Sequence, residues 1–462
     1  MSVSRARGTR GAGWAWPALV WIVAATLIAA TVVLQGVIRP QLAADPLVGG
    51  GRLDAPRTAP TPAPVLPGLG TPTRTVDPAT LAQTLEGLPR EGLGDVAGLV
   101  VDATTGAQVY RVGAGVKTPA SSMKVLSSVV ALDVLGPDAR LATRTYLTPT
   151  GQVILRGGGD PLLASAHQDA YPHAASLDDL AAVTVDALRA RGVTSVALGY
   201  DATLFGTPAW NPHWPETFAT SVAPITALTV DHARPTPGSW VRSPDPSRLA
   251  ADAFASRLSA AGIAVTGVAA QATPSDAEQV GEVLSPPVGV VVEHTLAESD
   301  NDAAETLLWQ VTVARGQSAT PTTAAAQLVT ELTRLGLWSD GMAVYDANGI
   351  SAENEVSPDA LVGAVRLAVQ RPDLRRLLTG LPVAGVSGTL GERFGAADSL
   401  AGRGVVRAKT GTIRGVNTLT GYVVTADGQP LAFAFMTSGG AGQTSARAWL
   451  DRASSALASC GC

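Results

Sequence analysis

Three short motifs in this chain carry residues suited to acyl transfer through a serine. In chain order they are Ser121-Ser122-Met123-Lys124, Ser299-Asp300-Asn301 and Lys409-Thr410-Gly411-Thr412. A Ser-x-x-Lys pair, a Ser-Asp-Asn triplet and a Lys-Thr-Gly triplet are the parts of serine enzymes that use a lysine as the base. Each motif is short enough to occur by chance, but all three in this order predict one catalytic site.

The first motif supplies the predicted catalytic pair, Ser121 as nucleophile and Lys124 as base. Thr118-Pro119 and Gly136-Pro137 are a typical start and stop of a helix, and the residues between them are apolar around the whole axis. The spacing of three places both side chains on one face. Burial lowers the pKa of a lysine, so Lys124 is expected to accept the serine proton. A surface serine and lysine at a coincidental spacing is the alternative.

The second motif adds Ser299 as a third catalytic residue and Asn301 as a substrate-binding residue. Ser299 is predicted to relay a proton to the leaving amine, and the Asn301 amide to donate to a substrate carbonyl. The motif lies between two helical runs, and Ser, Asp and Asn are also the preferred N-cap residues. An ordinary helix cap is therefore the structural alternative.

The third motif, Lys409-Thr410-Gly411-Thr412, is predicted to end a strand and to bind substrate. Lys409 and the hydroxyls of Thr410 and Thr412 are suited to a carboxylate, and Gly411 is expected to let a substrate backbone approach closely. The backbone N–H groups of Thr412 and Ser121 are predicted to form an oxyanion hole. A strand end that runs into a turn is the alternative.

Neither a metal nor a cofactor is expected at this site. The chain lacks a Gly-x-Ser-x-Gly elbow, a Gly-Lys-Ser/Thr phosphate loop and a His-Glu-x-x-His pair. Its net charge of -5 and the lack of a basic run beyond the first ten residues also predict that nucleic acid is not a partner.

Strand and helix patterns predict an α+β fold with a large inserted second domain. Strand-like runs occur near both ends of the folded body, at 96–112 and 405–437, with helices between and after them. These runs favour one antiparallel sheet built from both termini and flanked by helices. The stretch 145–285 is rich in Gly, Pro and Asp, and we interpret it as the insert. The catalytic domain is then 77–144 together with 286–462.

The N-terminal region is predicted to anchor the protein in a membrane. Arginines in residues 1–13 precede a mostly apolar stretch at 14–38, long enough to span a bilayer as a helix. The arginines predict a cytoplasmic N-terminus and an extracytoplasmic body. Residues 39–76 are rich in Pro and Ala and are predicted to be a linker. A cleaved signal peptide is the alternative to an uncleaved anchor.

The two cysteines, Cys460 and Cys462, are interpreted as part of a surface tail. Only one residue separates them, and this short spacing disfavours an unstrained disulfide between them.

From Asp77 to Leu457 the chain resembles penicillin-binding proteins of the D-alanyl-D-alanine carboxypeptidase/endopeptidase family, peptidase family S13 (the DacB-type enzymes). Beyond the three motifs, the likeness extends to Pro119-Ala120, Ala304-Glu305 and three longer stretches. These stretches are Arg156 to Leu163, Asp346 to Ser351 and Gly385 to Leu390. The resemblance implies a penicillin-recognising transpeptidase/β-lactamase-like core with an insert between the first two motifs.

This resemblance also implies an activity and its partners. The expected reaction is serine D-Ala-D-Ala carboxypeptidase chemistry, together with endopeptidase cleavage of crosslinks. It would act on peptidoglycan stem peptides ending in D-Ala-D-Ala through an acyl-enzyme on Ser121 and be inhibited by β-lactams. The gap between Lys124 and Ser299 is shorter than the family pattern, and Asp346-Ala347-Asn348-Gly349-Ile350-Ser351 departs from the usual Asp-Gly-Ser-Gly-Leu-Ser. The membrane anchor is a further departure.

Two other functions share some of these features. A serine β-lactamase carries the same three motifs, but the Glu-x-x-Leu-Asn of the class A enzymes does not occur between Asn301 and Lys409. A non-catalytic, anchored cell-wall-binding protein is the second alternative, and the intact motif residues disfavour it.

Overall fold

The computed structural model describes residue 72, residues 74–440 and residues 442–461. The predicted anchor at 14–38 and nearly all of the predicted linker at 39–76 lie outside the described residues. No helix within the described ranges is long and apolar enough to cross a membrane.

The described part of the chain contains strands and helices that alternate in long blocks. The strands are β1 (Gly94–Asp102), β2 (Gln108–Val112), β3 (Ala142–Leu147), β4 (Val153–Arg156), β5 (Ser195–Asp201), β6 (Ala264–Ala270), β7 (Glu278–Leu284), β8 (Arg407–Ile413), β9 (Val416–Val424) and β10 (Pro430–Gly439). The helices are α1 (Pro78–Glu86), α2 (Met123–Leu135), α3 (Leu177–Ala190), α4 (Pro246–Ala260), α5 (Val288–Glu298), α6 (Asn301–Ala314), α7 (Pro321–Arg334), α8 (Pro358–Gln370), α9 (Arg376–Gly380) and α10 (Gln443–Ser459).

The first sheet joins the two ends of the folded body. Its strand order is β2-β1-β10-β9-β8, and all neighbouring pairs are antiparallel. β10 lies at the centre, where both of its edges are paired, and its residues from Leu431 to Thr437 are all buried. This arrangement confirms the predicted α+β class and the predicted antiparallel sheet with strands from both termini.

Helices cover both faces of this sheet because the side chains of its strands alternate between two cores. Ala434 and Met436 pack into the core that contains α2, α5, α6 and α8. Phe433 and Phe435 point the other way, into the core formed with α1 and α10. The sheet is therefore buried on both faces.

The helix that follows Ser121 is buried on every side. All residues of α2 from Met123 to Leu132 are buried, as its apolar sequence predicted. Its start differs from the prediction. A short 3₁₀ turn, Ala120–Ser122, precedes it, and no side chain caps either element. Thr118 is not the N-cap because the turn intervenes between it and α2.

A second sheet lies almost entirely within the predicted insert. Its order is β6-β5-β4-β3-β7; β3 is antiparallel to β4 and β7, while β4, β5 and β6 run parallel. α3 and α4 supply its apolar core, with Leu180 and Phe254 among the buried residues. The strands begin at Ala142, slightly before the predicted insert at 145–285. The division of the chain into domains stays a prediction.

The expectation for the cysteine tail is wrong at Cys460. This residue is buried and disulfide-bonded, so it is neither a free thiol nor a surface residue. Cys462 lies outside the described residues.

Trp449 of α10 should be the most sensitive aromatic side chain in the core beneath the first sheet. It is 0% exposed and packs edge-on against Phe435, with ring centroids 5.6 Å apart. Trp449→Ala should lower the free energy of unfolding by about 3–5 kcal/mol in a denaturant titration, because it leaves a cavity.

Trp240 is the matched control, since its side chain is 82% exposed. Trp240→Ala should change the free energy of unfolding by less than about 0.5 kcal/mol. Equal effects of the two substitutions would contradict the packing described for α10.

Candidate active site

The nucleophile predicted from the sequence lies in a turn that its neighbours hold in a strained conformation. Ser121 is the middle residue of the 3₁₀ turn, and Ala120 before it has φ 46°, a left-handed conformation that is costly for any residue with a Cβ. Gly349 packs directly on this turn. A Cβ at Gly349 would lie 1.9 Å from the Ala120 carbonyl oxygen, so the glycine is required for this contact.

The other side of the turn rests on the first sheet. Thr418 Oγ1 of β9 donates to the Pro119 carbonyl oxygen at 2.8 Å, and it lies 2.8 Å from Ser122 Oγ. These contacts orient the turn so that Ser121 is half-buried at a cavity while Ser122 is fully buried.

Lys124 is completely buried, and three oxygen atoms surround its amine. Its Nζ lies 3.1 Å from Ser121 Oγ, 2.7 Å from Asn301 Oδ1 and 2.6 Å from the Asn348 carbonyl oxygen. Residues from three distant parts of the sequence therefore meet at one nitrogen atom. The structure brings the first two motifs together through this amine.

Burial lowers the pKa of Lys124 from its ordinary value to about 8. Removal of the ammonium from water disfavours its charge, and nearby carboxyl groups oppose this effect only in part. In decreasing order of effect, these carboxyl groups belong to Asp346, Asp300, Glu305 and Asp302. The lysine thus has a substantial neutral fraction near neutral pH, as the base of an acyl transfer requires.

Asp346 organises the loop whose carbonyl contacts Lys124. Its buried carboxylate accepts hydrogen bonds from the backbone N–H groups of Gly349 and Ser351, at 2.8 and 2.7 Å, and from the side chains of Asn354 and Trp214, at 2.7 and 3.0 Å. This set of donors fixes the loop from 346 to 354, which presents the Asn348 carbonyl to the amine. In the sequence this stretch is a family likeness with no predicted role.

Glu305 of α6 is a second buried carboxyl group in the same cluster. It accepts a hydrogen bond from the Ala347 backbone N–H at 2.8 Å. Burial, and then the charge of Asp346, raise its pKa to about 8. Glu305 therefore carries less negative charge near neutral pH than an exposed glutamate, which limits its effect on Lys124.

The second motif forms the corner between α5 and α6. Ser299 ends α5 in a left-handed conformation with φ 59°, and Asp300 caps α6 by accepting from the Ala303 N–H at 3.0 Å. The capping alternative is thus correct for Asp300. At the same time Ser299 lines the cavity at Ser121, and Asn301 contacts Lys124.

The Asn301 amide is engaged differently from the prediction. Its oxygen accepts from Lys124, and its Nδ2 donates to the Ser221 carbonyl oxygen at 3.0 Å. One amide hydrogen is therefore already used by the protein, which positions the side chain and leaves a single hydrogen for a substrate carbonyl.

The third motif lies on β8 beside the nucleophile turn, but its lysine is not at the cavity surface. Lys409 is 0% exposed, and its Nζ donates to the Thr410 carbonyl oxygen at 2.9 Å. Burial, and then the charge of Lys124, hold the pKa of Lys409 well below its ordinary value. Direct docking of a carboxylate on Lys409, as predicted, does not match this placement.

The structure requires a glycine at position 411 for a different reason from the predicted one. A Cβ there would lie 2.1 Å from Thr418 Oγ1, 2.6 Å from the Pro119 carbonyl oxygen and 3.0 Å from the Ser122 nitrogen. The close neighbour of this glycine is therefore the nucleophile turn and not a substrate backbone.

A cavity of about 350 Å³ opens at Ser121. Eight residues line this cavity. Four of them were predicted as site residues from the sequence and four were not. The predicted ones are Ser121, Ser299, Thr410 and Thr412, and the others are Thr389, Glu392, Arg393 and Arg447. Thr389 belongs to the Gly385 to Leu390 stretch and bonds Thr410 through their hydroxyls at 2.8 Å. Arg393 lies in a loop and Arg447 lies on α10. No sequence motif therefore links them to Ser121.

The chain matches the D-Ala-D-Ala carboxypeptidase 3 (S13) family over residues 79–238 and 232–458. It is 34% identical to the carboxypeptidase DacB of Mycolicibacterium smegmatis, over 95% of this chain and 98% of that protein. It is 30% identical to the D-alanyl-D-alanine carboxypeptidase of an Actinomadura species, over 76% of this chain and 79% of that protein.

Among solved structures, the fold is similar to penicillin binding protein 4 (dacB) from Haemophilus influenzae. The TM-score is 0.68 at 19% identity, over 83% of this chain and 98% of that one. A second structure of the Haemophilus protein, complexed with a β-lactam, has a TM-score of 0.63 at 20% identity and the same coverage.

The pKa of Lys124 predicts how the reactivity of Ser121 depends on pH. Only the neutral amine can accept the serine proton, so below a pH of about 8 the rate of covalent labelling by a fluorescent penicillin should rise roughly tenfold per pH unit. Above that value the rate should level off. Labelling measured under pseudo-first-order conditions from about pH 6 to about pH 9 checks this profile.

Two variants test the assignment of the profile to Lys124. Lys124→Arg keeps the cation but cannot lose its proton, so labelling should be lost at every pH. Glu305→Gln removes a carboxyl group that raises the pKa of Lys124, so the midpoint should shift to lower pH. A flat profile in the unsubstituted protein would contradict a lysine base.

Proposed function

This chain belongs to the D-Ala-D-Ala carboxypeptidase 3 (S13) family, and we infer that it is a serine D-Ala-D-Ala carboxypeptidase acting on peptidoglycan stem peptides. The contact that carries this function is the one between the buried Lys124 amine, Ser121 Oγ and Asn301 Oδ1. A lysine with a lowered pKa beside a serine at the floor of an open cavity is suited to acyl transfer.

We propose the following roles for the catalytic residues. Ser121 Oγ attacks the carbonyl carbon of the penultimate D-Ala while its proton passes to Lys124 Nζ. The tetrahedral intermediate collapses with cleavage of the peptide C–N bond, and Lys124 passes its proton through Ser299 to the leaving amine of the terminal D-Ala. Water then attacks the acyl-enzyme and gives a proton to the neutral lysine. Lys124 returns this proton to Ser121 Oγ as the ester C–O bond breaks and the shortened peptide is released.

For substrate binding we propose that the terminal carboxylate docks at the hydroxyls of Thr410 and Thr412. Both residues line the cavity with Ser121. Arg393, Arg447 and Glu392 complete the charged part of its lining, and Arg393 is ion-paired with Asp451. Three further residues would support substrate binding. Asn301 would donate its remaining amide hydrogen to the substrate, and Lys409 would hold Thr410 in place through the Thr410 carbonyl. Gly411 would let the nucleophile turn approach β8. The N–H groups of Ser121 and Thr412 remain our candidates for the oxyanion hole.

We propose that β-lactams inhibit the enzyme by acylating Ser121. A strained lactam presents a carbonyl beside a carboxylate, as the D-Ala-D-Ala terminus does, and opening of the ring leaves no small amine to depart. The same contacts that favour attack on the peptide would therefore favour a covalent adduct.

We also propose endopeptidase activity on peptide crosslinks. Ser299 is shared by two cavities, the one at Ser121 and an adjoining one of about 380 Å³ that is lined by Asn301, His294 and Arg234 among others. We propose that the adjoining cavity holds the second peptide of a crosslinked pair.

Attachment to the cytoplasmic membrane through residues 14–38 is a further proposal. The apolar length of this stretch and the arginines before it support a single-pass anchor with the catalytic domain outside the cell. That placement agrees with a substrate in the cell wall.

Ser121→Ala should abolish both covalent labelling by fluorescent penicillin and release of D-alanine from a synthetic pentapeptide. Ser128→Ala is the matched control. This serine lies on α2 and is buried away from the cavity lining, and its Oγ has no hydrogen-bond partner among the described residues, so both activities should survive. Adding a crosslinked peptide dimer as a second substrate measures the endopeptidase share.

The stability of the adduct separates the alternatives. A long-lived adduct with release of D-alanine supports the carboxypeptidase, rapid hydrolysis of the lactam supports a β-lactamase, and no adduct supports a non-catalytic wall protein. Persistent labelling of Ser121→Ala would refute Ser121 as the nucleophile.

The anchor is tested in the full chain by placing charge inside it. The double variant Leu27→Arg and Ile28→Arg should move the protein out of the membrane fraction, because each arginine costs about 2.5–3.5 kcal/mol at the centre of a membrane helix. The same two charges placed in the linker, at Val65 and Leu66, are the control and should leave the fractionation unchanged. A mature chain that starts after residue 38, seen by mass spectrometry, would instead support a cleaved signal peptide.

A further inference from the structure

Two histidines and one aspartate meet in the cavity that shares Ser299 with the cavity at Ser121. His294 Nε2 lies 3.2 Å from Asp300 Oδ2, and His232 Nδ1 lies 3.6 Å from the same oxygen. One ligand atom from each of the three side chains falls within a span of 4.8 Å. None of these groups takes part in the proposed proton transfers.

We propose that His232, His294 and Asp300 form a binding site for a divalent transition metal, with Zn²⁺ as the best fit. Zinc bonds of about 2.0–2.2 Å to imidazole and carboxylate in a tetrahedron place neighbouring ligand atoms about 3.3–3.5 Å apart. The two measured distances bracket this value. Two nitrogens and one oxygen form a donor set that zinc prefers over the hard cations Mg²⁺ and Ca²⁺.

The charges around the cluster leave Asp300 for the metal. Asp302 Oδ2 also lies 3.7 Å from His232 Nδ1. However, Arg242 Nη1 lies 3.4 Å from Asp302 Oδ2 and compensates the charge of this carboxylate. Asp300 forms no ion pair with lysine or arginine in the described part of the chain, and it faces the two imidazoles instead. A bound dication would balance the charge of this buried carboxylate in place of the imidazoles.

The backbone around His232 is held in an uncommon conformation that presents its ring to Asp300. Asp231, His232 and Ala233 are consecutive residues with φ of 49°, 54° and 57°, each in the left-handed region that side chains disfavour. Arg242 donates to the His232 carbonyl oxygen and thereby holds this segment in place. The loop is therefore stabilised in the form that places the imidazole at the cluster.

Access and position both suit a metal that joins two parts of the fold. All three ligands line the adjoining cavity of about 380 Å³, so an ion can enter from solvent and the fourth coordination position stays open. His232 comes from the segment between β5 and α4, His294 from α5, and Asp300 from the cap of α6. A bound ion would tie the inserted stretch to the corner that carries Ser299 and Asn301.

The test uses the full chain, stripped of metal by a chelator and titrated with ZnCl₂ alone in a calorimeter. We expect saturable binding of one zinc ion per chain, a higher melting temperature with zinc, and a visible spectrum of a tetrahedral site when Co²⁺ replaces Zn²⁺. His232→Ala and His294→Ala should each weaken zinc binding by at least tenfold.

His167→Ala is the matched control. This histidine also contacts two carboxylates, but Asp179 lies at Nδ1, at 2.9 Å, and Asp169 at Nε2, at 3.0 Å, on different ring nitrogens. A single ion cannot bind through both nitrogens, so zinc affinity should be unchanged in this variant.

Zinc binding to the unsubstituted chain decides the proposal even if a variant fails to fold. Absence of saturable one-to-one binding would overturn it and leave the cluster as a network of ion pairs. An equal loss of affinity in His167→Ala would also overturn it, because the ion would then sit elsewhere. These readouts need no turnover, so their failure is distinct from failure of the proposed carboxypeptidase activity.

Discussion

The structure depends above all on the burial of one amine. Lys124 has no contact with solvent, so its three polar neighbours must be supplied by the protein and must stay in place. This requirement explains features that lie far apart in the sequence. The helix α2 must be apolar on all sides, the corner before α6 must turn towards it, and the loop organised by Asp346 must present a carbonyl.

The sequence predicted the structure best where periodic patterns indicated strands and where the order of the motifs indicated the site. The strands at both ends of the folded body have strong β patterns, and their position on either side of a helical stretch predicted one antiparallel sheet with helices on its faces. The motif order also indicated that Ser121, Lys124 and Asn301 meet. The start of α2 was mispredicted because Thr118-Pro119 is a good helix signal locally, whereas contacts with Gly349 and Thr418 impose a separate turn at Ser121.

The parts that the sequence could not reveal depend on contacts between distant segments. Lysine and glycine at a strand end commonly face a substrate, and the sequence predicts this role for Lys409 and Gly411. In the fold, β8 packs against the nucleophile turn, and this contact buries the lysine and requires the glycine. Arg393 and Arg447 reach the cavity from separate elements, so no local pattern could associate them with Ser121. His232 and His294 also come from separate elements, so no local pattern predicted that they form a cluster.

Two opposing effects set the pKa of Lys124: burial lowers it and nearby carboxyl groups raise it. The resulting pKa suits both acylation and deacylation. Burial alone would expel the proton and leave a neutral but weakly basic amine, which accepts the serine proton poorly. The carboxyl groups of Asp346, Asp300, Glu305 and Asp302 oppose this effect and bring the pKa back to about 8. An amine poised in this range can take the serine proton during acylation and give it up again during turnover. Because Glu305 is itself held partly neutral by burial, the carboxyl groups do not restore the full charge of an exposed lysine, and the base remains available.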